Sequence, residues 1–329
     1  MRYVILGAGA VGATIGGRLA EAGYAVTLVG RGEHAEAVKR DGLLLAMPDR
    51  TMRLPVPMVT MDELHLTPDH VLFLGVKSQD TPHLLDQLAT VPVDGGAADL
   101  PVFCAQNGVA NEDAVLRRFA RVYGVCVNIP ATHLEPGVVE APATPVSGIL
   151  QIGRYPAGTD DLASAVAADL RRSGFLAEAR TDVMAWKRAK LLSNLANALQ
   201  VLCVGGYEWR AGTDDTTGTV VSRIREEATA CFDAAGWTVT DAAQFRADAG
   251  AFGMAAVNGR TRGGGSTWQS VERGLPSVET DYLNGEIVRL GRLHGVPTPV
   301  NAAIQAGMRE ITQRSRAPRT LDPADLLAA

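Results

Sequence analysis

Cysteine is scarce in this chain of 329 residues, which has four cysteines and no CxxC pair. Zinc sites and disulfide frameworks need cysteines at characteristic short spacings, so the sequence predicts neither. The six histidines also lack the spacing of metal ligands, so no metal is predicted. Reduced thiols of this kind favour a cytoplasmic protein.

Long apolar runs and an excess of positive charge are also absent. The run over residues 3–6 is too short for a signal peptide, and no stretch approaches the roughly 18 apolar residues of a membrane span. A formal net charge of −5 gives no electrostatic reason to expect nucleic acid or an anionic membrane as partner. We therefore expect a soluble intracellular protein that binds neither.

Short apolar runs alternate with helix-like stretches in the first half of the chain. Strands are predicted over residues 2–6, 25–29, 71–76, 102–105, 122–127 and 146–152. Helices are predicted over residues 10–22, 81–89 and 111–120. This alternation indicates βαβ units and a doubly wound parallel sheet covered on both faces. The proline-rich segment 43–59 is predicted to be an irregular or hairpin insertion.

Helical spacing dominates the second half of the chain. Helices are predicted over residues 183–202, 220–236, 277–293 and 300–314. The sequence therefore predicts an α/β domain over residues 1–180, followed by an all-α substrate and catalytic domain over residues 181–329.

A glycine-rich motif of the form GxGxxG follows the first predicted strand and opens the first helix. In a βαβ unit this position is typical of dinucleotide binding. Gly7 allows the tight turn, Gly9 lets the backbone approach a pyrophosphate, and Gly12 lets helix and strand pack closely. The first domain is therefore predicted to be a Rossmann domain. Its predicted cofactor-binding residues in this turn are Gly7, Ala8, Gly9, Ala10, Val11 and Gly12. The alternative is a glycine-rich turn without a ligand.

The cofactor is predicted to be NADPH. Sites that prefer NAD usually end the second strand with an acidic residue that binds the ribose 2′-hydroxyl. Here residues 25–29 are followed by Gly30 and Arg31. The Arg31 guanidinium could form charge-assisted hydrogen bonds to a 2′-phosphate. The alternative is that Arg31 is a solvated loop cation.

Together with this fingerprint, four later motifs resemble those of the ketopantoate reductase (2-dehydropantoate 2-reductase) family. They are Val76-Lys77-Ser78, Gln106-Asn107-Gly108, Lys190-Leu-Leu-Ser-Asn194, and Ser266 with Glu279-Thr-Asp-Tyr-Leu-Asn-Gly285. The resemblance runs in order from residue 7 to about residue 300. It implies a Rossmann domain followed by a helical domain, and reduction of 2-dehydropantoate by NADPH in pantothenate and coenzyme A biosynthesis.

The resemblance also implies a role for individual residues of the helical domain. Lys190 would be the general acid that protonates the substrate oxygen as hydride arrives, since an ammonium both donates a proton and stabilises negative charge. Asn194 follows one helical turn later on the same face and would bind the same substrate. Ser266 would hold the substrate carboxylate. Glu279 would contact the cofactor ribose or the reacting centre.

Three residues of the first domain receive roles in the same way. Asn107 would lie near the nicotinamide and the substrate, at the carboxyl end of a strand. Lys77 also follows a strand and would reach cofactor or substrate. Ala131 would offer its backbone to the cofactor.

The chain departs from the family pattern near the expected substrate contacts. Position 198 is alanine where the family would have a second asparagine, and Asn197 is predicted to substitute for it. Before Ser266, a run of three glycines changes the expected serine pair. These departures leave open which 2-oxo acid is reduced.

Each candidate also has a structural interpretation. On a helical wheel, one polar stripe consists of Lys187, Lys190, Asn194, Asn197 and Gln200. Such a stripe is typical of a solvated helix face. Ser266 could cap a helix, Glu279 could be a first-turn acid that balances the helix dipole, and Lys77 and Asn107 could be turn residues.

Three functions follow, in order of preference. The first is NADPH-dependent reduction of 2-dehydropantoate. The second is reduction of another small 2-oxo acid with the same chemistry. The third is a non-catalytic NADPH-binding sensor. The expected partner is a small 2-oxo acid, and a homodimer is possible because the helical domain has an apolar surplus.

Overall fold

The computed structural model describes residues 1–93, 99–204, 216–275 and 277–328. The chain forms two compact units. Unit 1 comprises Met1–Lys187 and Asp241–Arg262, and unit 2 comprises Arg188–Thr240 and Gly263–Ala329. The second segment of unit 1 is an excursion that the sequence did not reveal. The domain boundary near residue 180 stays a prediction.

Unit 1 is built on a sheet of eight strands, accompanied by two smaller sheets. The strands are β1 (Arg2–Leu6), β2 (Ala25–Val29), β3 (Leu43–Ala46), β4 (Thr51–Leu54), β5 (Met58–Val59), β6 (His70–Leu74), β7 (Val102–Cys104), β8 (Val122–Asn128), β9 (Val138–Glu140), β10 (Ala143–Thr144), β11 (Ile149–Arg154), β12 (Leu176–Ala179) and β13 (Gly253–Met254). The large sheet has the order β12-β11-β8-β7-β6-β1-β2-β5. Its neighbouring strands are parallel except β8 and β11, which pair antiparallel. The predicted parallel sheet is therefore confirmed.

Both faces of this sheet are buried, as its unbroken apolar strands require. In β1, Tyr3 and Ile5 belong to one hydrophobic cluster, whereas Val4 and Leu6 belong to another. Alternate side chains of a strand point to opposite faces, so the two clusters are the cores on either side of the sheet.

Helices cover these faces. The α-helices of unit 1 are α1 (Ala10–Glu21), α2 (Gly32–Asp41), α3 (Thr81–Leu88), α4 (Asn111–Leu116), α5 (Asp161–Arg172), the start of α6 (Val183–Asn194) and α9 (Ala242–Ala249). The predicted insertion over residues 43–59 contains the β3–β4 hairpin, and its last residues form β5, which pairs with β2 at the sheet edge.

Residues 241–262 join unit 1 through a short strand. Ala143 pairs with Met254 and Thr144 with Gly253, so β10 and β13 form a two-stranded antiparallel sheet. The Gln151 side-chain amide also donates to the Asp248 carboxylate at 2.9 Å. These pairings join residues about a hundred positions apart, a relationship that local periodicity does not reveal.

The described part of unit 2 is helical, as expected for the second domain. Its helices are the end of α6, α7 (Leu199–Leu202), α8 (Thr216–Ala234), α10 (Ser266–Glu272), α11 (Asn284–His294), α12 (Pro299–Thr312) and α13 (Pro323–Leu327). Two predicted helices are interrupted. The helix predicted over residues 183–202 changes to a 3₁₀ helix at Leu195–Ala198, and the one predicted to begin at residue 277 starts with a 3₁₀ turn at Glu279–Tyr282.

A buried polar network holds the core of unit 2. The Glu227 carboxylate accepts from the Val300 and Asn301 amides at 2.9 and 3.0 Å, and so satisfies the start of α12. The Asn301 side-chain amide donates to the same carboxylate at 2.8 Å. The Asn284 side-chain amide donates to Asn301 Oδ1 and to the carbonyl of Leu195, at 3.0 and 3.1 Å. The 3₁₀ segment after α6 is therefore held by a specific hydrogen bond.

Candidate active site

The turn between β1 and α1 has glycine wherever a side chain would collide with backbone. Gly7 has φ +102°, and a Cβ built on it would lie 2.6 Å from the Val76 amide nitrogen. A Cβ on Gly12 would lie 2.1 Å from the Gly7 carbonyl oxygen. The amides of Gly7 and Ala8 donate to the Val29 carbonyl at 3.0 and 3.1 Å, which fixes the turn to the end of β2. The glycines at positions 7 and 12 are therefore required by packing.

Gly9 differs, because a Cβ built on it would have no neighbour within 4 Å. Gly9 is the N-cap of α1, and it has no side chain to satisfy the first amides, those of Ala10 and Val11. A helix N-terminus with open space above its first amides fits the pyrophosphate of a dinucleotide. Among the residues of the fingerprint, Gly9 has no packing reason to be glycine, which favours binding of a ligand there.

Arg31 follows the carboxyl end of β2 and is the N-cap of α2. Its side chain is 81% exposed, and its Nη2 lies 3.5 Å from a carboxylate oxygen of Asp80, which is also exposed. Exposed pairs of this kind contribute little free energy, so the guanidinium can exchange that partner for an anion. No acidic side chain ends β2.

Hydrogen bonds join the two motifs that follow β6 and β7. The Gln106 side-chain amide donates to the Val76 carbonyl at 3.0 Å and to the Thr81 hydroxyl at 2.8 Å. The Thr81 hydroxyl donates to Asn111 Oδ1 at 2.9 Å. β6 and β7 are parallel neighbours, so their carboxyl ends bring Val76-Lys77-Ser78 and Gln106-Asn107-Gly108 to one edge of the sheet.

The same network holds the backbone of Asn107. Its carbonyl accepts from the side-chain amide of Asn111 at 3.3 Å and from the Ser78 hydroxyl at 3.4 Å, and Asn111 also donates to Ser78 Oγ at 3.1 Å. Lys77 and Asn107 remain half-buried. Gly108 follows with φ +78°, a left-handed conformation that favours glycine. These contacts make Lys77 and Asn107 parts of an organised cluster rather than residues of isolated turns.

Ala131 is buried, and its amide donates to the Ile129 carbonyl at 2.9 Å. Its amide is therefore used within the chain. The predicted backbone contact of Ala131 with the cofactor stays a prediction.

The polar stripe of α6 and the residues after it does not face solvent as a whole. Lys187, Asn194 and Asn197 are buried, with 2%, 5% and 6% exposure, while Lys190 and Gln200 are half-buried. The interpretation of this stripe as a solvated helix face is therefore wrong. Helical periodicity identifies a polar face but does not distinguish water from a polar interior.

In unit 2 the chain brings Asn197 and the loop before Ser266 together. The Gly265 amide donates to Gln200 Oε1 at 2.9 Å. A Cβ built on Gly265 would lie 3.6 Å from Asn197 Oδ1. Ser266 is the first residue of α10, and the N-cap is Gly265, so the interpretation of Ser266 as a helix cap is wrong.

The glycine run before Ser266 has a packing reason. Cβ atoms built on Gly263 and Gly264 would lie 2.9 and 2.7 Å from the indole of Trp268, so the ring lies against this backbone. Glycine at these two positions makes room for the ring. The glycines by which this loop departs from the family pattern are therefore explained by the packing of Trp268 against them.

Glu279 is buried, with 6% exposure, in the first turn of the 3₁₀ helix that precedes α11. Its position agrees with a first-turn acid, one of the two interpretations. The proposed contact with the cofactor stays a prediction.

The hydrogen-bonded residues around Lys77, Ser78 and Asn107, at the carboxyl ends of β6 and β7, form a strand-end cluster. Sequence reasoning missed the residues that organise this cluster. They are Thr81, Gln106, Asn111, Glu112 and Lys187. Gln106 belongs to a motif that was recognised, yet its own role was not. The available signal was polar residues next to recognised motifs, because their partners, apart from Asn107 beside Asn111, lie 25 to 83 positions away.

Burial controls the thiol nearest to this cluster. Cys104 ends β7 and is buried, and desolvation raises the pKa of its thiol well above the usual value. Its carbonyl accepts from Lys187 Nζ at 3.4 Å.

Within the described residues, no group of three or more histidine, cysteine or carboxylate side chains could hold a metal ion. The helices of the same residues include none with the length and hydropathy of a membrane span.

Comparison with known proteins gives consistent matches along the chain. Residues 3–157 match the family described as "Ketopantoate reductase PanE/ApbA", and residues 182–312 match its C-terminal part. A 2-dehydropantoate 2-reductase of Halobacterium salinarum is 29% identical over 91% of this chain and 95% of its own length. Another from Pyrococcus horikoshii is 32% identical, and the match covers 60% of this chain and 62% of that relative.

A solved structure extends the similarity to the fold. The PanE/ApbA family ketopantoate reductase from Ralstonia eutropha has a TM-score of 0.77 and 29% identity, with coverage of 95% of this chain and 99% of that one. The similarity therefore includes both the α/β and the helical parts.

Proposed function

Because the chain belongs to the ketopantoate reductase PanE/ApbA family, we propose that it reduces 2-dehydropantoate to pantoate with NADPH, a step of pantothenate biosynthesis. The family match confirms three predictions made from the motifs, namely the family itself, the oxidoreductase class and the NADPH cofactor. The observation that supports the proposal is the close approach of Gly7 to Val76, whose carbonyl accepts from Gln106, the residue before Asn107.

Lys190 is proposed to be the general acid. When bound, NADPH would supply the hydride, and the substrate oxygen would then need a group of this chain to stabilise its negative charge. The Lys190 ammonium would stabilise that charge and transfer its proton to the oxygen. Lys190 is half-buried, and such an environment strengthens its electrostatic interaction relative to bulk water.

The substrate is proposed to bind to polar side chains of unit 2. Asn194 ends α6, and Asn197 lies near the Gly265 backbone that precedes Ser266. Amide and hydroxyl groups in this arrangement can donate to the carboxylate and hydroxyl oxygens of a small 2-oxo acid. In this proposal Ser266 holds the carboxylate, and Asn194 and Asn197 orient the rest of the molecule.

Selection of NADPH over NADH is proposed to depend on Arg31. Its exposed guanidinium follows β2, where an NAD-selective site would have an acid. Substitution of Arg31 by alanine should weaken NADPH binding and leave NADH binding nearly unchanged. Equal losses for both cofactors would contradict this assignment. Lys77 and Glu279 are proposed to contact the cofactor as well.

A second candidate is reduction of a different small 2-oxo acid. It is favoured by Ala198, a buried alanine where the family pattern has asparagine, and by the packing of Trp268 on the glycines before Ser266. Comparison of kcat/KM over branched, linear and aromatic 2-oxo acids, with NADPH and NADH in parallel, distinguishes the candidates.

The chemistry is tested by Lys190→Ala. Turnover should fall by about 10³-fold or more, because both proton donation and charge stabilisation are lost, while the Kd for NADPH changes little. Lys39→Ala removes a lysine from the surface of α2 and should leave turnover unchanged. Full activity of the Lys190 variant would refute the general-acid role.

A further inference from the structure

A buried ion pair lies in unit 1 and has no role in the function proposed so far. Lys187 is 2% exposed and Glu112 is 0% exposed. Lys187 Nζ donates to Glu112 Oε1, to the Gln106 carbonyl at 3.0 Å and to the Cys104 carbonyl at 3.4 Å. All three donors of the ammonium are therefore directed at the carboxyl end of β7 and the α4 helix that follows it.

We propose that Lys187 is a positioning residue that fixes Asn107 for the reaction. The proposal rests on the proposed function, because it assumes that Asn107 lies beside the nicotinamide and the substrate. Lys187 holds the Gln106 carbonyl, and the Asn111 and Ser78 side chains hold the Asn107 carbonyl. The peptide groups on both sides of the Asn107 Cα are thus fixed, and the side chain of Asn107 starts from a defined backbone.

The energetics favour a positional role over a purely stabilising one. Removal of two charges from water costs about as much as their attraction returns, and apolar pairs of similar volume often stabilise a core equally well. The pair also leaves one buried oxygen, Glu112 Oε2, without a hydrogen-bond partner. An ammonium nevertheless does what an apolar side chain cannot, since it holds two backbone carbonyls at a strand end.

The same lysine belongs to the helix that carries the proposed acid. Lys187 is the last residue of α6 that belongs to unit 1, and Lys190 follows in the same helix. Lys187 therefore ties its own turn of α6 to the strand end that presents Asn107. Loss of Lys187 should disturb catalytic geometry more than cofactor binding, because Lys187 holds the residues after β7, whereas the turn at Gly9 is anchored to the end of β2 through the Gly7 and Ala8 amides.

The test uses Lys187→Met combined with Glu112→Gln, because Lys187→Met alone would leave a buried unpaired carboxylate and destabilise the protein. We expect kcat with the preferred 2-oxo acid to fall by about 100-fold, the loss typical of a misplacement of 1 Å, while the Kd for NADPH changes less than about threefold. Tyr3→Phe is the matched control. It removes a buried hydrogen bond of 2.6 Å to Asp169 at the opposite end of β1 and should leave kcat unchanged.

Hydrogen exchange provides a readout that does not depend on activity. Amides of residues 104–111 should exchange faster in the double variant than in the wild type or the Tyr3 variant. Normal kcat together with unchanged exchange in the folded double variant would overturn the proposal. If the wild type reduces no oxo acid, the proposed function fails, while faster exchange at residues 104–111 would still support the anchoring of this turn by Lys187.

Discussion

Replacement of Gly9 by alanine separates ligand binding from folding at the dinucleotide turn. Gly9 has φ −74° and ψ −165°, a conformation that alanine adopts without strain. Apart from its neighbours along the chain, its added Cβ would have no protein atom within 4 Å. The methyl group would therefore occupy the space above the start of α1, where the pyrophosphate is proposed to lie.

The magnitudes follow from this geometry. Alanine is a poorer N-cap than glycine by about 0.5–1 kcal/mol, but it also reduces the entropy of the unfolded chain by a similar amount of free energy. The free energy of unfolding should thus change by less than about 1 kcal/mol. Loss of one charge-assisted hydrogen bond to the phosphate costs about 1.5–3 kcal/mol, which raises the Kd for NADPH by about 10- to 150-fold.

Two further glycines provide the comparison. Gly12→Ala places a Cβ 2.1 Å from the Gly7 carbonyl oxygen, so it should lower the unfolding free energy by about 3 kcal/mol or more and weaken NADPH binding as well. Gly253→Ala also adds a Cβ with no neighbour within 4 Å, but on β13, so it should change neither property.

Titration of NADPH fluorescence gives the Kd, and urea denaturation gives the free energy of unfolding for each variant. Wild-type affinity in the Gly9 variant would refute the placement of the pyrophosphate above this residue. A loss of stability in the same variant as large as that of Gly12→Ala would show that Gly9 is required by packing.

Three other predictions concern unit 2 and the thiols. Glu227→Ala leaves two amides of α12 and the Asn301 side chain without their acceptor, so the free energy of unfolding in urea should fall by about 3 kcal/mol. A fall of less than about 1 kcal/mol would contradict this account. Gln200→Leu removes the acceptor of the Gly265 amide and should raise KM for the oxo acid by about tenfold at constant NADPH Kd, whereas an unchanged KM would separate this loop from the substrate. All four cysteines are buried, and burial raises the pKa of Cys203 to about 11, so the native protein should react slowly with a thiol reagent at pH 8 and release four thiols in denaturant.

The sequence determined the parts of this protein that depend on neighbouring residues. The strands β1 and β2 and the start of α1 follow from apolar runs and a glycine turn, so their positions could be predicted within a residue or two. The fingerprint and the missing acid after β2 are also local, and they sufficed to predict a Rossmann domain and its cofactor. The short motifs in order along the chain were enough to identify the family.

The tertiary structure decided which polar residues are exposed and what they contact. Lys187 repeats with the polar face of α6, yet it is buried against Glu112, a residue 75 positions earlier. The carbonyl of Leu195 depends in the same way on Asn284, which is 89 positions later. Burial and hydrogen bonding of this kind arise from strand order and helix packing. Local periodicity does not predict these contacts, since they join residues that meet only after the chain has folded.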